Sequence, residues 1–525
     1  MNILVADPIA DAGLRRLREA GHDVKVAYDF EPTALRDAVV DAGALVVRSG
    51  TEVDSALFEA ASELVIVGRA GIGVDNIDLE AATEHGVIVA NAPAGNVRAA
   101  AEHTVAMAFA AARSIPEAHA RLSAGEWAKA DFLGTELTGK TLGIVGFGRV
   151  GQEVAKRLGD LGMSLVAYDP YIGEGRAEQL GAELASLERA LGRADFLTVH
   201  TPLTPETEHL IGATELAELD GGYLINCARG GVVDEAALAE ALETGVLQGA
   251  ALDVFAEEPL PSDSPLRGVP GIVVTPHIGA STSAAQENVA TSIADQVLAA
   301  FDDEPVINAL NAPSIDRRAF PRIEPYIDIA ETAGRLAIQL FDAQVNEIEV
   351  VYAGEIADEQ VDFVTASALK GVFEPLEHQV NAVSAPQIAE RRGIEITESK
   401  RSASEDFQSL VTVGVRNGAE EMRICGTLFA GEAPRIVRID GYRVDAIPGG
   451  RMVVSRNTDE PGVIGLIGSV MGEYGINIAG MYNARETIGG EAMTVYTVDQ
   501  AVPDAARERL EEDPRVTETR YIRLQ

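Results

Sequence analysis

Three polar residues of types that support acid–base chemistry each follow a short apolar run typical of a β-strand. They are Arg229 in N-C-A-R-G-G, Glu258 in D-V-F-A-E-E-P and His277 in T-P-H-I-G-A. A histidine can exchange a proton with a substrate hydroxyl near neutral pH. A carboxylate beside it would orient the ring and stabilise its charged form, and an arginine can bind a carboxylate through two parallel hydrogen bonds. Singly, each residue is more often a surface ion pair or a structural histidine, but the set predicts hydride transfer on a small hydroxy acid.

A glycine-rich segment supplies the cofactor prediction. The run G-F-G-R-V-G, from Gly146 to Gly151, follows the apolar segment T-L-G-I-V and precedes the helical pattern Q-E-V-A-K-R-L. In that context a pyrophosphate can approach a helix N-terminus, where free N–H groups favour an anion. Asp169 ends the next predicted strand, where a carboxylate would bind a ribose diol and repel a 2′-phosphate. The pattern favours NAD over NADP; a structural glycine turn with a capping aspartate is the alternative.

The N-terminal part of the chain adds candidate substrate ligands. Arg48 and Ser49 follow one predicted strand, Arg69 and Gly71 follow the next, and Asn96 closes the segment N-A-P-A-G-N. Two arginines at successive strand ends of so acidic a chain indicate an anion in a cleft between two lobes. Ordinary solvated surface charges are the alternative.

The elements that must position these residues alternate between strand and helix, which predicts parallel sheets with helical crossovers. The predicted fold class is therefore α/β, with two Rossmann-like doubly wound lobes. A helix over 282–302 follows the last strand and can return to the first lobe, so residues 1–96 and 283–310 are predicted to form a discontinuous substrate-binding lobe. Residues 97–282 are predicted to form the NAD-binding lobe, with one long Ala-rich helix over 97–123 and then six strands.

The rest of the chain is predicted to form two α+β domains. A stretch rich in Pro, Asn and Arg over 309–325 marks the boundary, and residues 311–448 give a helix, a strand, further helices and three strands. Residues 449–525 give the order βαββαβ, which is that of the ferredoxin-like fold.

Composition excludes several classes of protein. The 525 residues are 46% hydrophobic and 24% charged, which is ordinary globular usage and excludes a disordered or coiled-coil chain. The net charge of −40 repels phosphate backbones and anionic membranes, so neither nucleic acid nor a membrane is an expected partner. The acids are spread along the whole chain, which predicts adaptation to a molar-salt cytoplasm, where the Debye length falls to about 3 Å. An acidic mesophilic protein is the alternative.

The cysteines and the N-terminus point to a cytoplasmic location. Cys227 and Cys425 are the only two cysteines and have no metal-ligand spacing, so neither a disulfide framework nor a metal site is predicted. The N-terminal residues lack the basic and apolar regions of a signal peptide, and no uncharged stretch is long enough to predict a membrane span.

The candidate residues lie in segments that resemble the D-2-hydroxyacid dehydrogenase family. The segments that carry the resemblance are G-R-A-G-I-G-V-D-N-I-D from Gly68, N-A-P-A-G-N from Asn91, A-E-H-T from Ala101, G-F-G-R-V-G from Gly146, H-T-P-L-T-P-E-T from His200, N-C-A-R-G-G from Asn226, A-L-D-V-F-A-E-E-P from Ala251 and T-P-H-I-G-A-S-T from Thr275. The resemblance covers nearly the whole chain, because residues 311–448 resemble the intermediate domain of the long family members that act on 3-phosphoglycerate. The last domain resembles an ACT regulatory module, with N-T-D-E-P-G-V-I-G and Y-G-I-N-I-A-G at the expected places.

The resemblance implies a role for each candidate residue, with NAD as cofactor and 3-phosphoglycerate as substrate. His277 would accept the proton, Glu258 would be its carboxylate partner, and Arg229 would bind the substrate carboxylate. The substrate cleft would be lined by Arg48, Ser49, Arg69, Gly71 and Asn96. The implied cofactor contacts are Gly146, Gly148, Arg149, Val150, Gly151, Asp169, Thr201, Cys227, Ala228, Asp253, Gly279 and Ala280. The implied ligands of a serine effector, which the ACT module of the family binds between paired chains, are Asn457, Asp459 and Asn477.

Two other functions remain open. One is a different activity within the family, such as glyoxylate or hydroxypyruvate reduction, although the simple reductases usually end near the end of the nucleotide lobe. The other is a dinucleotide-sensing regulator that binds NAD and a protein partner without turnover. Symmetric association into a homodimer or homotetramer is expected for a soluble chain of this kind.

Overall fold

The computed structural model describes residues 1–28, 30–302, 304–313, 319–377, 380–404, 406–431 and 433–524. These residues contain four sheets, of which the first two are parallel and the last two are mixed and antiparallel. The prediction of two parallel-sheet α/β lobes is confirmed. Within the described part of the chain, no helix has the length and apolar character needed to cross a membrane.

The first lobe contains a five-stranded parallel sheet in the order β2-β1-β3-β4-β5. Its central strands are almost fully buried, as expected for a parallel sheet with helices on both faces. The strands and their helices are β1 (Asn2–Val5), α1 (Asp11–Glu19), β2 (Asp23–Val26), α2 (Pro32–Val39), β3 (Ala44–Val47), α3 (Ser55–Ala60), β4 (Ile66–Arg69), α4 (Leu79–Glu84) and β5 (Ile88–Asn91).

The second lobe contains a seven-stranded parallel sheet in the order β12-β11-β10-β9-β6-β7-β8. The strand order reverses between β6 and β9, which is the switch point where such sheets bind ligands. The elements are α5 (Val97–Ala112), α6 (Ile115–Ser123), β6 (Thr141–Val145), α7 (Arg149–Asp160), β7 (Ser164–Tyr168), α8 (Glu174–Glu178), β8 (Ala182–Leu184), α9 (Leu187–Leu191), β9 (Phe196–Val199), α10 (Ala213–Glu218), β10 (Tyr223–Asn226), α11 (Glu235–Glu243), β11 (Gly249–Leu252) and β12 (Ile272–Val274).

Two details of the second lobe differ from the sequence prediction. The helix predicted over 97–123 is two helices, because Ser114 adopts a left-handed conformation with φ of 46° and Pro116 cannot continue the hydrogen bonding of α5. The strand β8 was missed because it has three residues and only Ala182 is buried, so it carries no apolar run.

After β12 the chain returns to the first lobe through α12 (Ser283–Phe301). Ile293 and Val297 of α12 lie in the same buried cluster as Ile3 of β1. The segment that follows pairs with the edge of the first sheet, since the N–H of Leu310 donates to the carbonyl of Val89 at 2.8 Å. The helix therefore packs on the first lobe, and its residues Ala285, Gln286 and Val289 line an open cleft.

The C-terminal half contains the two remaining sheets. The predicted boundary over 309–325 includes residues 314–318, which lie outside the described residues. The next sheet has the order β14-β13-β15-β16-β17-β18, and its outer strands β14 and β18 were not predicted. Its elements are α13 (Phe320–Leu340), β13 (Glu347–Gly354), α14 (Asp362–Phe373), α15 (Ala385–Arg391), β14 (Glu395–Arg401), β15 (Ser409–Asn417), β16 (Glu420–Phe429), β17 (Ala433–Ile439) and β18 (Tyr442–Ala446).

The last sheet has the order β20-β21-β19-β22 with antiparallel neighbours, and its elements follow the predicted βαββαβ order. They are β19 (Arg451–Thr458), α16 (Val463–Glu473), β20 (Ile478–Arg485), β21 (Glu491–Val498), α17 (Asp504–Glu511) and β22 (Val516–Arg523). One face of this sheet packs with the intermediate domain, because Met452 and Val454 belong to the same buried cluster as the apolar face of α13.

Candidate active site

The predicted chemical residues lie where parallel strands end, at the edges of the two sheets that face each other. Arg48 follows β3 and Arg69 ends β4, whereas Arg229 follows β10, and His277 lies on the loop after β12. Ligands of open α/β sheets bind at this carboxyl edge. The fold therefore brings residues that are far apart in sequence to one cleft.

His277 and Glu258 form a direct pair. The Nδ1 atom of His277 lies 2.7 Å from Oε2 of Glu258, and Oε1 of Glu258 accepts a hydrogen bond of 3.0 Å from the backbone N–H of Phe255. The second bond fixes the carboxylate, which in turn fixes the tautomer and plane of the ring. Nε2 is left to exchange a proton with a substrate, and the ring is 48% exposed, so a substrate can reach it.

Arg229 extends from the NAD lobe toward the first lobe. Its Nε lies 3.5 Å from Oδ2 of Asp75, and its Nη1 donates to its own neighbour's carbonyl, that of Ala228, at 2.7 Å. A Cβ on Gly73 would lie 2.1 Å from Nη2 of Arg229. The absence of a side chain at Gly73 is therefore what allows the guanidinium to lie against the first lobe.

Three guanidinium groups act on one another in the cleft. Burial and the like charges of Arg229 and Arg48 lower the pKa of Arg69 to about 10. The Nε atom of Arg69 is buried and has no hydrogen-bond partner among the described residues. A cationic group held in this way would be stabilised by an anion.

Arg48 and Arg69, but not Arg229, line an open cleft with about 430 Å³ of space, part of which is open solvent. The predicted substrate residues Arg48, Arg69, Gly71 and Asn96 line it together with Ala280, which was predicted as a cofactor contact. The fifth predicted substrate residue, Ser49, is exposed and is not part of the lining. The residues of the lining that sequence reasoning missed are Pro8, Ile9, Ala10, Ala70, Ala285, Gln286, Val289 and Ala290.

The glycine-rich loop has the shape that a pyrophosphate requires. Gly146 has φ of 89°, and a Cβ on it would lie 2.8 Å from the backbone of His200. A Cβ on Gly151 would lie 2.3 Å from the carbonyl oxygen of Gly146, so only glycine fits there. At Gly148, which caps α7, the position of a Cβ has no described atom within 4 Å. That face is open toward a ligand, and Arg149 and Val150 begin the helix behind it.

The other predicted cofactor contacts surround this loop. Asp169 follows β7, and its Oδ2 accepts the backbone N–H of Phe147 at 2.8 Å, which joins the carboxylate to the glycine loop. Oγ1 of Thr201, after β9, is buried without a partner in the described chain. Cys227 and Ala228 follow β10, and burial, aided by Asp253, raises the pKa of the Cys227 thiol to about 12. This thiol is neutral at physiological pH.

Asp253 lies below the loop that carries His277. Its carboxylate accepts hydrogen bonds from Oγ1 of Thr275 at 2.5 Å, from N–H of Ile278 at 2.9 Å and from N–H of Gly279 at 2.7 Å. Nε2 of His103, on α5, lies 3.2 Å from the same carboxylate and 3.2 Å from Oγ1 of Thr275. His103 was not singled out from the sequence, because only the fold places α5 beneath the loop.

The predicted effector residues do not come together within one chain. Asn457 is buried in β19, where its Oδ1 accepts a hydrogen bond of 2.8 Å from Thr494. Asp459 precedes α16 and accepts the N–H of Gly489 at 3.0 Å, whereas Asn477 follows α16. The helix has 11 residues, which corresponds to about 16 Å.

Comparisons with known proteins agree with this geometry. Residues 105–279 match the model of the D-isomer specific 2-hydroxyacid dehydrogenase NAD binding domain. Residues 322–440 match the model of the D-3-phosphoglycerate dehydrogenase intervening domain. Among solved structures, the TT0316 protein of Thermus thermophilus is 38% identical with a TM-score of 0.56, covering 59% of this chain and 100% of that one. An NAD-dependent formate dehydrogenase of Staphylococcus aureus in complex with NAD is 32% identical with a TM-score of 0.53, covering 58% of this chain and 97% of that one.

Several relatives that match over their full length share one name. D-3-phosphoglycerate dehydrogenase of Methanocaldococcus jannaschii is 41% identical over 100% of both chains. The proteins of that name from Archaeoglobus fulgidus and Bacillus subtilis are 42% and 40% identical, over 100% and 99% of this chain and of their own. The similarity thus spans both lobes and both C-terminal domains, and the chain belongs to the D-3-phosphoglycerate dehydrogenase family.

Proposed function

We propose that the chain catalyses the NAD-dependent oxidation of D-3-phosphoglycerate to 3-phosphohydroxypyruvate, the step that opens serine synthesis. The observation that carries this proposal is the position of Arg69, a largely buried guanidinium of lowered pKa whose Nε lacks a partner in the described cleft. A substrate with a second anionic group would supply that partner.

The proposed mechanism assigns one substrate group to each part of the cleft. Arg229 holds the carboxylate, and Arg48 and Arg69 hold the phosphate, which places the C2 hydroxyl near Nε2 of His277. The hydroxyl proton passes to Nε2, and the imidazolium that forms is stabilised by Glu258 through the Nδ1 bond of 2.7 Å. As the C2–O bond becomes a carbonyl, the C2 hydrogen leaves with its electron pair. NAD, when bound, accepts that hydride.

The residues at the switch point fit NAD. The open face at Gly148 and the unpartnered Oγ1 of Thr201 are places where phosphate or ribose oxygens can be received. Asp169 presents a carboxylate at the ribose position, which favours NAD over a cofactor with a 2′-phosphate. On this assignment the glycine loop and Asp169 bind and orient the dinucleotide and take no part in proton transfer.

The test of this function is a comparison of three ketoacids. Reduction in molar KCl is followed by the loss of NADH with phosphohydroxypyruvate, hydroxypyruvate and glyoxylate. We expect kcat/KM to be larger for phosphohydroxypyruvate by about 10² or more, since charge-assisted hydrogen bonds from two arginines are lost with the phosphate. Equal kcat/KM values for the three acids would instead indicate a reductase of the same family. Binding of NADH without turnover of any of them would leave a dinucleotide sensor.

The proposal extends to the last domain. We assign residues 449–525 as an ACT module that binds serine between two chains. The βαββαβ order and the placement of Asp459 and Asn477 at opposite ends of α16 support this assignment. The assay above, repeated with L-serine and with D-serine, tests it. Inhibition by the L isomer alone is expected, and equal rates with and without L-serine would remove serine as the effector.

The active protein is proposed to be a homo-oligomer. In the segment 115–133, helix α6 has no buried residue among the described residues. The exposed apolar side chains of the segment are Ile115, Leu122, Trp127 and Leu133. Exposed apolar patches of this kind mark interaction surfaces. Three of the five charged side chains of the segment are paired within it, because Arg121 contacts Glu126 and Asp131, each at 2.7 Å, so a second copy can cover the neighbouring apolar side chains without leaving these three charges unpaired.

A further inference from the structure

One buried carboxylate fastens the chain on both sides of His277. Asp253 accepts the side-chain hydroxyl of Thr275, two residues before His277, and the backbone N–H groups of Ile278 and Gly279 directly after it. The anchored stretch has five residues, 275–279, and His277 is at its centre. Any shift of Asp253 must therefore move the histidine.

The anchor is the charged carboxylate of Asp253, and hydrogen-bond donors around it stabilise that charge. Asp253 is only 1% exposed, and burial alone would raise its pKa. Hydrogen bonds from His103, Thr275 and the two backbone N–H groups outweigh burial, so the pKa is below its ordinary value. A buried carboxylate that loses one donor retains most of its desolvation cost, so the loop would rearrange to satisfy it.

The backbone of His277 needs such an anchor. Its φ is 53°, in the left-handed region that residues with side chains rarely adopt. Conformations of this kind persist only where the surroundings hold them, and they cluster at functional sites. In the described structure, the three hydrogen bonds to Asp253 hold both sides of this residue and direct its ring toward Glu258.

We propose that Asp253, Thr275 and His103 form a positioning unit for His277, in which Thr275 donates to Asp253, Nε2 of His103 contacts both Thr275 and Asp253, and Asp253 holds the 275–279 loop. None of the three exchanges a proton with the substrate. The inference rests on the proposed function, in which His277 is the proton acceptor. It goes beyond the expectation that Asp253 is a cofactor contact, because the carboxylate is engaged by the protein's own groups.

The first test compares two substitutions of one hydroxyl. Thr275→Val keeps the shape of the side chain and removes the hydrogen bond to Asp253, whereas Thr275→Ser keeps the hydroxyl. We expect Thr275→Val to lower kcat by about 10- to 100-fold, since a small misplacement of a catalytic group costs up to this much. KM and the NADH dissociation constant should stay near the wild-type values, and Thr275→Ser should restore most of kcat. A structural defect alone would lower kcat, raise KM and the NADH dissociation constant, and lower the melting temperature.

The second test removes His103, the donor on α5, and measures the chemical reactivity of His277 directly. His103→Gln keeps an amide donor at the position of Nε2, and His103→Leu removes it. Modification of His277 by diethyl pyrocarbonate, located by peptide mass spectrometry, should be faster in His103→Leu and Thr275→Val than in the wild type or in His103→Gln. This readout needs no turnover, so it remains valid if the enzyme proves to prefer another substrate.

The possible results distinguish the positioning unit from a role in cofactor binding and from a failure of the proposed function. Unchanged kcat and unchanged His277 modification in both Thr275→Val and His103→Leu, in a wild type that is active, would overturn the positioning unit. A raised NADH dissociation constant with unchanged kcat at saturating NADH would also overturn it, and would assign the residues to cofactor binding instead. If the wild type itself fails to reduce phosphohydroxypyruvate, the function fails, while faster modification of His277 would still support the anchor.

Discussion

Arg229 and Asp75 face each other across the two lobes, with Nε of the arginine 3.5 Å from the carboxylate of the aspartate. Asp75 is 71% exposed, so the contact is weak and screened by water. It nevertheless places a carboxylate of the protein beside the group proposed to bind the carboxylate of the substrate. The two carboxylates therefore compete for one guanidinium.

This competition predicts that Asp75→Asn binds substrate more tightly. We expect KM for phosphohydroxypyruvate to fall by about 2- to 5-fold at low salt, which corresponds to an exposed ion pair, with kcat unchanged. The effect should shrink in molar KCl as the charges are screened. Asp37→Asn is the matched control, because it removes one exposed charge from the same lobe on α2. A raised KM in Asp75→Asn would mean that Asp75 orients Arg229 instead.

The pair of His277 and Glu258 makes a different prediction. Glu258→Gln keeps the size of the side chain and can keep the N–H bond from Phe255, but it removes the charge that stabilises the imidazolium. Reduction of the ketone needs a proton from this ring, so kcat should fall by about 10- to 100-fold, which is less than the roughly 10²- to 10⁴-fold contribution of an acid–base group because His277 itself is kept. His277→Ala should lower kcat further, and an unchanged kcat in Glu258→Gln would contradict the pairing.

Arg69 should determine the preference for a phosphorylated substrate. In Arg69→Gln, we expect kcat/KM for phosphohydroxypyruvate to fall by about 10²-fold while the value for hydroxypyruvate changes little. The burial and like charges that lower the pKa of Arg69 to about 10 also mean that its charged form is disfavoured in the folded state. Its charge therefore destabilises the fold below pH 10, and this penalty decreases as pH rises above 10.

Because the charge of Arg69 destabilises the fold, the variant Arg69→Gln allows a second measurement. Arg69→Gln should unfold at a higher temperature than the wild type at neutral pH, and the difference should shrink when inorganic phosphate is added at constant ionic strength. Phosphate binding stabilises only the chain that retains the anion site. Arg443→Gln, an exposed arginine of the intermediate domain, is the control and should show no dependence on phosphate.

The residues that sequence reasoning found and missed differ in what determines their position. His277, Arg229 and Arg69 each follow a strand of a parallel sheet, and parallel strands bring their carboxyl ends to one edge whatever the rest of the fold does. Asp75 and His103 gain their roles only from how one lobe or helix lies against another, and a single sequence carries no periodic signal for that placement.

The predicted and the missed strands also differ in a physical property, which is the burial of their side chains. Strands with apolar runs were predicted, whereas β8, β14 and β18 were not. The side chains of β8 and β14 are mostly exposed or partly exposed, and β18 has only five residues, which alternate between buried and exposed. The sequence does contain a signal for the break between α5 and α6. Pro116 lies inside the stretch predicted as one helix, and proline is tolerated only in the first turn of a helix.

The net charge of −40 predicts a rise in activity with salt. Both proposed ligands are anions, and a protein of the same sign repels them at low ionic strength. We expect kcat/KM to rise between 0.1 and about 1 M KCl, over which the Debye length falls from about 10 to 3 Å, and stability to rise with it. Equal stability at both salt concentrations would favour the alternative of an ordinary acidic protein over a halophilic one.

The exposed apolar segment 115–133 predicts how the chain associates. Trp127 is 82% exposed and Leu133 is 98% exposed in the single chain, and a symmetric partner would cover both with the same patch. The double variant Trp127→Glu, Leu133→Glu places two charges where the partner's apolar side chains would lie, so it should dissociate. Light scattering in molar KCl is expected to give a smaller mass for the variant than for the wild type.

A control must separate this interface from a general loss of apolar surface. Tyr171→Glu changes another highly exposed aromatic residue of the NAD lobe, outside the segment 115–133. It should leave the mass unchanged. If the double variant keeps the wild-type mass, the chains associate elsewhere, and the exposed edge of the last sheet at β20 becomes the next surface to substitute, because an edge strand can pair with a second copy. A wild type that is monomeric in molar KCl would exclude both surfaces as interfaces and, with them, a serine site between chains.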